Sequence, residues 1–176
     1  AIAMSYFNAF NLPITIARPF NTYGPRQSAR AVIPTIITQI ASGVKEIKLG
    51  DVTPTRDFNF VEDVVNGFYM TLKSKNKKIF GEVINLGTGY EISIKNLLEI
   101  IKKISNKNLL FKVENKRVRF SKSEVYRLKA SNKKAMKLIR WKPKYSGYKG
   151  LFKALQLTYN WYEKNKKYFK SNLYNI

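Results

Sequence analysis

The sequence predicts an α/β fold in which short parallel strands alternate with helices. Two observations carry this prediction. Short apolar runs at 14–17 and 83–86 have the composition of buried strands, and each is followed by a polar loop and then by a segment with helical spacing. The 176 residues are 44% hydrophobic and 14% aromatic, which is enough apolar material for a core. We therefore expect one folded unit.

The first sixty residues alternate between helical and strand patterns, separated by loops rich in Gly and Pro. The predicted elements are a helix at 1–10, a strand at 14–17, a polar loop at 18–30, a helix at 32–41 and two short strands within 46–60. No capping residue precedes the first helix, so we expect the chain to begin inside a helix.

The remaining residues continue the same alternation. The predicted elements are a helix at 61–72, a strand at 83–86, a helix that begins after Ser93, a strand at 109–113, a charged loop at 115–128, and helices at 132–139 and 148–166. Ser93 is expected to cap its helix, because its hydroxyl can accept a hydrogen bond from a free backbone N–H group. Two helices carry continuous apolar stripes that predict buried faces: Val61, Val64, Val65, Phe68 and Leu72 in one, and Ile94, Leu97, Leu98, Ile101 and Ile104 in the other.

The composition excludes several kinds of chemistry. The chain has no His and no Cys, which removes disulfides, thiolate nucleophiles, imidazole bases and ordinary zinc sites. No apolar run is long enough to cross a bilayer and no signal peptide is evident, so we expect a cytoplasmic protein without a membrane partner. The net charge of +22 raises the alternative of a nucleic-acid-binding or polyanion-binding module. The lysines are scattered in ones and twos, a pattern that favours a solvated surface and no nucleic-acid partner.

Three blocks of sequence carry more specific information. They are Arg-Pro-Phe-Asn-Thr-Tyr-Gly-Pro-Arg-Gln at 18–27, Thr-Arg-Asp-Phe-Asn-Phe-Val-Glu-Asp-Val at 55–64, and Arg-Phe-Ser-Lys-Ser-Glu-Val at 119–125 with Trp-Lys-Pro behind it at 141–143. In order and spacing they resemble the carboxyl half of the extended short-chain dehydrogenase/reductase family, whose members are NAD-dependent nucleotide-sugar epimerases and 4,6-dehydratases. Within that family the chain looks most like the bacterial 4,6-dehydratases that act on a nucleotide-linked N-acetylglucosamine in legionaminic-acid synthesis.

Two family motifs are missing from this chain: the Gly-x-x-Gly-x-x-Gly dinucleotide fingerprint, and the catalytic Tyr-x-x-x-Lys in its proper place. Gly87-x-Gly89 is better explained as a tight turn. The Tyr-x-x-x-Lys strings that begin at Tyr69, Tyr145 and Tyr162 fall at the wrong positions, so we interpret them as chance matches.

The resemblance implies that residues 1–176 are a C-terminal fragment. It would comprise the C-terminal strands of a Rossmann-like parallel sheet plus a small α/β substrate-binding domain, with the N-terminal NAD-binding half absent. The implied cofactor is NAD, bound mainly by that absent half. The fragment would hold no catalytic residue and would be inactive alone, while the full-length protein is expected to be a homodimer.

The resemblance also implies roles for nine positions. Pro19 and Phe20 would pass the nicotinamide of NAD. The implied substrate contacts are Asn21, Arg56 and Arg119 to the diphosphate, Glu124 to the ribose, Val32 and Leu49 to the nucleobase, and Asn85 to a polar group. Ordinary structural alternatives exist for three of them: a loop cap for Asn21, a salt bridge to Asp57 or Glu62 for Arg56, and membership of a basic loop for Arg119.

The expected function is that of the substrate-binding portion of an NAD-dependent 4,6-dehydratase of the UDP- or GDP-N-acetylglucosamine class. A nucleotide-sugar 4-epimerase is the alternative within the family, because it shares every motif visible here. The aromatic residues of the helix at 148–166 could suggest base stacking, but their spacing of three and four favours packing in the core.

Overall fold

The computed structural model describes residues 1–118 and 124–168. Its helices are α1 (Ile2–Phe10), α2 (Val32–Ala41), α3 (Val61–Lys73), α4 (Ile94–Ser105), α5 (Lys133–Ile139) and α6 (Gly147–Lys164). Its strands are β1 (Ile16–Pro19), β2 (Thr22–Tyr23), β3 (Glu46–Leu49), β4 (Thr55–Arg56), β5 (Asn59–Phe60), β6 (Val83–Leu86), β7 (Ile92–Ser93) and β8 (Leu110–Val113). The predicted α/β class is confirmed.

Strands β1 and β6 form a parallel pair, with Ile16 opposite Val83 and Pro19 opposite Leu86. This pairing confirms the prediction that the two apolar runs lie in one parallel sheet. Strand β1 begins two residues later than the run at 14–17, because the N–H of Ile14 donates to the carbonyl of Leu12 and forms a turn. The carboxyl ends of both strands meet at one edge of the sheet.

Three further strand pairs complete the fold of the described residues. Strands β2 and β5 are parallel, β3 and β8 are parallel, and β4 and β7 are antiparallel. The segment at 46–60 thus contains three short strands, where the sequence predicted two. The extra strand forms because the 59–60 backbone pairs with 22–23, a distant partner that local patterns do not reveal.

Two hydrophobic clusters form the core. The larger one joins α2, α4 and α6 with the strands beside them. The smaller cluster lies around β6 and α5, and its fully buried members include Ile84, Leu86 and Trp141. Tyr159 and Tyr162 of α6 confirm the core interpretation, since both are buried, whereas Tyr148 in the first turn is 48% exposed.

Helix α4 follows its predicted pattern closely. The Ser93 hydroxyl accepts a hydrogen bond from the Asn96 N–H at 3.1 Å, which confirms the predicted cap. Leu97, Leu98 and Ile101 on the predicted stripe are fully buried.

Helix α3 departs from its predicted pattern. Val64 is buried, but Val65, Phe68 and Leu72 are 60%, 46% and 87% exposed. The helix packs through Val64 and through Gly67, which lies against Leu86. Helix α1 is similar, since none of its residues is buried. These two helices present apolar side chains that the described residues leave uncovered.

No helix within 1–118 and 124–168 combines the length and the apolar character needed to cross a lipid bilayer.

Candidate functional site

A cavity of about 370 Å³ lies beyond the carboxyl ends of β1 and β3. Residues from five parts of the chain, at 21–35, 49–58, 94, 117 and 124, line it: Asn21, Thr22, Gln27, Arg30, Ala31, Val32, Ile33, Thr35, Leu49, Gly50, Asp51, Pro54, Arg56, Phe58, Ile94, Arg117 and Glu124. The amino ends of α2 and α4 both reach this cavity. Ligands of parallel α/β proteins bind in such positions, at the carboxyl ends of the strands.

Arg56 and Glu124 form an ion pair in the wall of the cavity. The Nη2 group of Arg56 donates to Oε1 of Glu124, and only 15% and 11% of the two side chains are exposed. Nη1 of Arg56 donates to the carbonyls of Thr55 at 2.9 Å and Val125 at 2.5 Å. The guanidinium is thus anchored by the backbone on one side and paired with a carboxylate on the other.

Backbone hydrogen bonds bring Glu124 to this place. The N–H of Thr55 donates to the carbonyl of Tyr126 at 2.8 Å, and the N–H of Leu128 donates to the carbonyl of Thr55 at 3.1 Å. These bonds fix the segment 124–128 alongside β4. Glu124 therefore meets Arg56 although 68 positions separate them in the sequence.

Asp57 organises the loops behind the cavity. Its fully buried carboxylate accepts hydrogen bonds from the N–H groups of Thr88, Gly89 and Ala130 and from the Thr88 hydroxyl. The Asp57 carbonyl accepts a bond from Nδ2 of Asn21 at 3.2 Å. Asp57 thereby links the loop after β6 and the backbone at Ala130 to the loop that carries Asn21.

Arg117 also lines the cavity. Its Nε donates to Oε2 of Glu114 at 2.6 Å, and this hydrogen bond is the main reason that the pKa of Glu114 is lowered. Gly50 lies so close to Arg117 that a Cβ atom at position 50 would be 2.2 Å from the Arg117 carbonyl oxygen. The wall therefore depends on a residue without a side chain at position 50.

The cavity also has an apolar part and an unpaired acceptor. Leu49 is 3% exposed, and Val32 packs against the same cluster. Gln27 donates from Nε2 to the Thr22 carbonyl at 2.7 Å, while its buried Oε1 has no hydrogen-bond partner in the described structure. An apolar wall with a few polar groups is typical of sites for small organic ligands.

Five of the nine residues singled out from the sequence line this one cavity: Asn21, Val32, Leu49, Arg56 and Glu124. Arg56 forms a salt bridge, as its ordinary alternative required, but with Glu124 instead of Asp57 or Glu62. Arg119 lies outside the described residues. The ligand roles of these residues remain predictions.

Three of the nine residues do not line the cavity. Asn85 lies within β6, opposite Arg18, one residue short of the strand end, and this places it away from the cavity wall. Its Oδ1 atom is buried, and no residue within 1–118 and 124–168 donates a hydrogen bond to it. Pro19 and Phe20 lie at the carboxyl end of β1, where Phe20 donates its N–H to the Leu86 carbonyl at 2.9 Å.

Sequence reasoning missed several residues of the cavity, of which Arg30, Arg117 and Gln27 carry the most polar chemistry. Gln27 ends the first sequence block and Arg117 lies two residues before the third. Proximity to those blocks was the available signal. Arg30 lies in the loop before α2, and no local pattern distinguishes it from a solvated arginine.

Parallel strand pairs, flanking helices and a cavity at the strand carboxyl ends define an α/β protein of the Rossmann-like class. Comparison with known proteins narrows this class, since residues 1–153 match the family of GDP-mannose 4,6 dehydratase. The chain belongs to that family of NAD-dependent nucleotide-sugar epimerases and dehydratases.

Individual relatives agree with this assignment. The chain is 33% identical to a UDP-glucuronate 4-epimerase of Thermodesulfobacterium geofontis over 172 residues, which cover 97% of this chain and 49% of the relative. It is 30% identical to the dTDP-D-glucose 4,6-dehydratase of Homo sapiens over 166 residues, covering 92% and 45%. The chain thus spans about half the length of these curated relatives.

Solved structures give the same result. A UDP-glucuronic acid 4-epimerase from Bacillus cereus, in complex with UDP-glucuronic acid and NAD, matches with a TM-score of 0.81 at 30% identity. The match covers 93% of this chain and 49% of that one. A dTDP-glucose 4,6-dehydratase from Bacillus anthracis, in complex with NAD, matches with a TM-score of 0.79 at 29% identity, covering 96% and 50%.

Proposed function

We propose that this chain is the substrate-binding portion of an NAD-dependent nucleotide-sugar 4,6-dehydratase of the UDP- or GDP-N-acetylglucosamine class. The observation that carries the proposal is the grouping of Arg56, Glu124 and Asn21 with the apolar residues Val32 and Leu49 around one cavity. A nucleotide sugar has matching parts: an anionic diphosphate, a ribose with hydroxyl donors and a flat base.

Each residue has a defined task in this proposal. Arg56 binds the diphosphate, because a guanidinium presents several N–H donors in a fixed plane and keeps its charge at every physiological pH. The side chain of Asn21 donates to the same group. Glu124 accepts hydrogen bonds from ribose hydroxyls, and Val32 and Leu49 pack against the base. The amino end of α2 adds the positive end of a helix dipole.

NAD is the cofactor in this proposal, and it supplies the oxidation and re-reduction of the sugar when bound. The described residues fit it only as one wall: Pro19 is exposed and Phe20 half-buried at the end of β1, and the turn at Gly87 and Gly89 beside Phe20 lacks the third glycine of a dinucleotide fingerprint. This chain would position the sugar nucleotide beside the nicotinamide.

The remaining half of a protein of the relatives' length would bind most of the cofactor and supply the catalytic Tyr and Lys. The chain alone would then be inactive, and we expect the longer protein to be a cytoplasmic homodimer.

A 4-epimerase is the second candidate, favoured by the 33% identity to a UDP-glucuronate 4-epimerase. Both reactions need the diphosphate and the base to be bound in the same way. The residues of this cavity would therefore serve a dehydratase and an epimerase equally well. Legionaminic-acid synthesis remains the more specific expectation drawn from the sequence.

Isothermal titration of the chain with UDP- and GDP-linked N-acetylglucosamine tests the binding proposal. We expect one nucleotide sugar per chain, and Arg56→Ala should weaken binding by roughly 1.5 to 3 kcal/mol, the scale of a hydrogen bond to a charged group. Lys133→Ala, which removes a positive charge from the amino end of α5, is the matched control and should leave affinity unchanged. Equal losses in both variants, with steep salt dependence, would favour the polyanion-binding alternative. Analysis of products from the longer protein would separate dehydratase from epimerase.

A further inference from the structure

The ion pair between Arg56 and Glu124 has a consequence for ligand selection. Both side chains line the cavity, and both are largely shielded from water. Among the described residues, the one side-chain donor to Glu124 is Arg56. The carboxylate therefore accepts a hydrogen bond from the same guanidinium that the proposed function assigns to a diphosphate.

The two bonds from Nη1 to backbone carbonyls leave Nη2 and Nε as the donors that face a ligand, and Glu124 already accepts from Nη2. A diphosphate that binds Arg56 through Nη2 therefore competes with Glu124 for that donor. Nη1 can keep its hydrogen bonds to the carbonyls of Thr55 and Val125, so the guanidinium stays where it is. Glu124 then loses its partner and lies beside a second negative group. A shielded carboxylate without a hydrogen-bond donor is costly, and so is its repulsion by the diphosphate.

A nucleoside diphosphate can offset this cost, whereas bare diphosphate cannot. The ribose of a nucleotide carries two hydroxyl groups that can donate to a displaced carboxylate. Inorganic pyrophosphate has the same phosphate chemistry but no such donors. The two ligands therefore differ in what happens to Glu124.

We propose that Glu124 is a specificity-determining residue that excludes bare diphosphates by competing for Arg56. Only a ligand that brings hydroxyl donors together with its diphosphate compensates Glu124 for the loss of the ion pair. This inference rests on the proposed function, because it requires that the cavity binds a nucleoside diphosphate. Selectivity here comes from a penalty placed on the wrong ligand, in addition to contacts with the right one.

The second glutamate–arginine pair near the cavity lacks this property. Arg117 donates from Nε to Oε2 of Glu114, and Glu114 itself is not among the residues that line the cavity. A ligand that contacts Arg117 therefore need not displace Glu114. This difference assigns the competition to Glu124.

The experiment compares Glu124→Gln with the unmodified chain by isothermal titration with inorganic pyrophosphate, UDP and GDP, without divalent metal. Removing the carboxylate charge should strengthen pyrophosphate binding by about tenfold, the scale of one charge-assisted hydrogen bond. Binding of UDP or GDP should stay the same or weaken. The preference for nucleotide over pyrophosphate should fall by at least the same factor.

Glu82→Gln is the matched control. Glu82 pairs with Lys134 at the amino end of β6, so its substitution removes the same charge from an ion pair outside the cavity. This control should leave the preference unchanged. If Glu124→Gln shifts pyrophosphate and nucleotide affinity equally, or if Glu82→Gln reproduces its effect, the inference is wrong.

Two further outcomes keep the inference separate from the proposed function. If the unmodified chain binds none of the three ligands, both fail together. If it binds UDP or GDP but Glu124→Gln leaves pyrophosphate affinity unchanged, only the role of Glu124 fails.

Circular dichroism checks the fold, and Glu124→Asp, which keeps the charge but retracts it by one methylene, provides a second variant. The pyrophosphate affinity of Glu124→Asp should lie between that of the unmodified chain and that of Glu124→Gln. An affinity outside that interval would contradict the inference.

Discussion

Asp57 and Thr88 are joined by two hydrogen bonds to a single carboxylate oxygen. Oδ1 of Asp57 accepts from the Thr88 N–H at 2.9 Å and from the Thr88 hydroxyl at 2.6 Å. Its Oδ2 accepts from the N–H groups of Gly89 and Ala130 at 2.8 and 3.1 Å. One buried side chain thus satisfies donors from two loops that are far apart in sequence.

Replacing this carboxylate should destabilise the chain strongly. Asp57→Asn places an amide donor opposite backbone donors and should lower the free energy of unfolding by about 2 to 4 kcal/mol. Asp51→Asn is the matched control, because the hydrogen bonds that Asp51 accepts from described residues come from its own turn, from the N–H and hydroxyl of Thr53. Urea unfolding at pH 7 measures both variants. A loss for Asp57→Asn no larger than for Asp51→Asn would show that the loops do not depend on this carboxylate.

Gly50 should tolerate no larger residue. A Cβ atom there would be 2.2 Å from the Arg117 carbonyl oxygen, so Gly50→Ala should push the 114–117 segment outward and cost about 1 to 3 kcal/mol of stability. Nucleotide-sugar binding should weaken as this wall moves. Gly43→Asn is the control, since Gly43 has open space around it and Asn accepts its positive φ of 78° at a cost below about 1 kcal/mol. Thermal unfolding and titration calorimetry give both readouts, and equal stability of the two variants would contradict the prediction.

The uncovered faces of α1 and α3 should make the isolated chain self-associate. Ile2, Phe10 and Leu72 are 78%, 67% and 87% exposed, and large apolar side chains left uncovered on two helices favour association. Leu72→Lys should reduce self-association in light scattering. Leu157→Lys, which changes an exposed leucine on α6, should not reduce it. A clean monomer of the unmodified chain at high concentration would count against the prediction.

Glu91 should contribute to stability in an acid-sensitive manner. Arg127 donates to Glu91 from Nη2 to Oε1 at 2.6 Å and from Nε to Oε2 at 2.8 Å. These hydrogen bonds are the main reason that the pKa of Glu91 is lowered from 4.5 to about 2. Because the pKa is depressed in the folded state, this contribution is complete above about pH 4.5 and is lost as the pH falls through about 2. Urea unfolding between about pH 6 and pH 2.5 should show stability falling more steeply for the unmodified chain than for Glu91→Gln. Glu99→Gln should follow the unmodified chain, and identical pH profiles for all three would contradict the prediction.

The sequence by itself determined the order and type of most elements. The helices at 32–41 and 94–105, the cap at Ser93 and the strand at 83–86 all follow from spacing and capping rules that act over a few residues. Three sequence blocks also pointed to the right family, because their order and separation are specific even where each block alone is weak. For the same reason the blocks indicated five residues that the fold brings to one cavity.

The tertiary structure alone decided which groups meet. Arg56 could have paired with Asp57 or Glu62 nearby, yet it pairs with Glu124, because the backbone of 126–128 hydrogen-bonds to Thr55. Neighbours in sequence do not settle such a choice, since the Asp57 carboxylate already accepts four hydrogen bonds from donors on other loops. The exposure of Val65 and Leu72 was likewise hidden, because helical spacing predicts an apolar face but not whether another part of the molecule covers it. Local periodicity encodes local structure, whereas ion pairs and buried faces depend on chain segments whose approach is set by the whole fold.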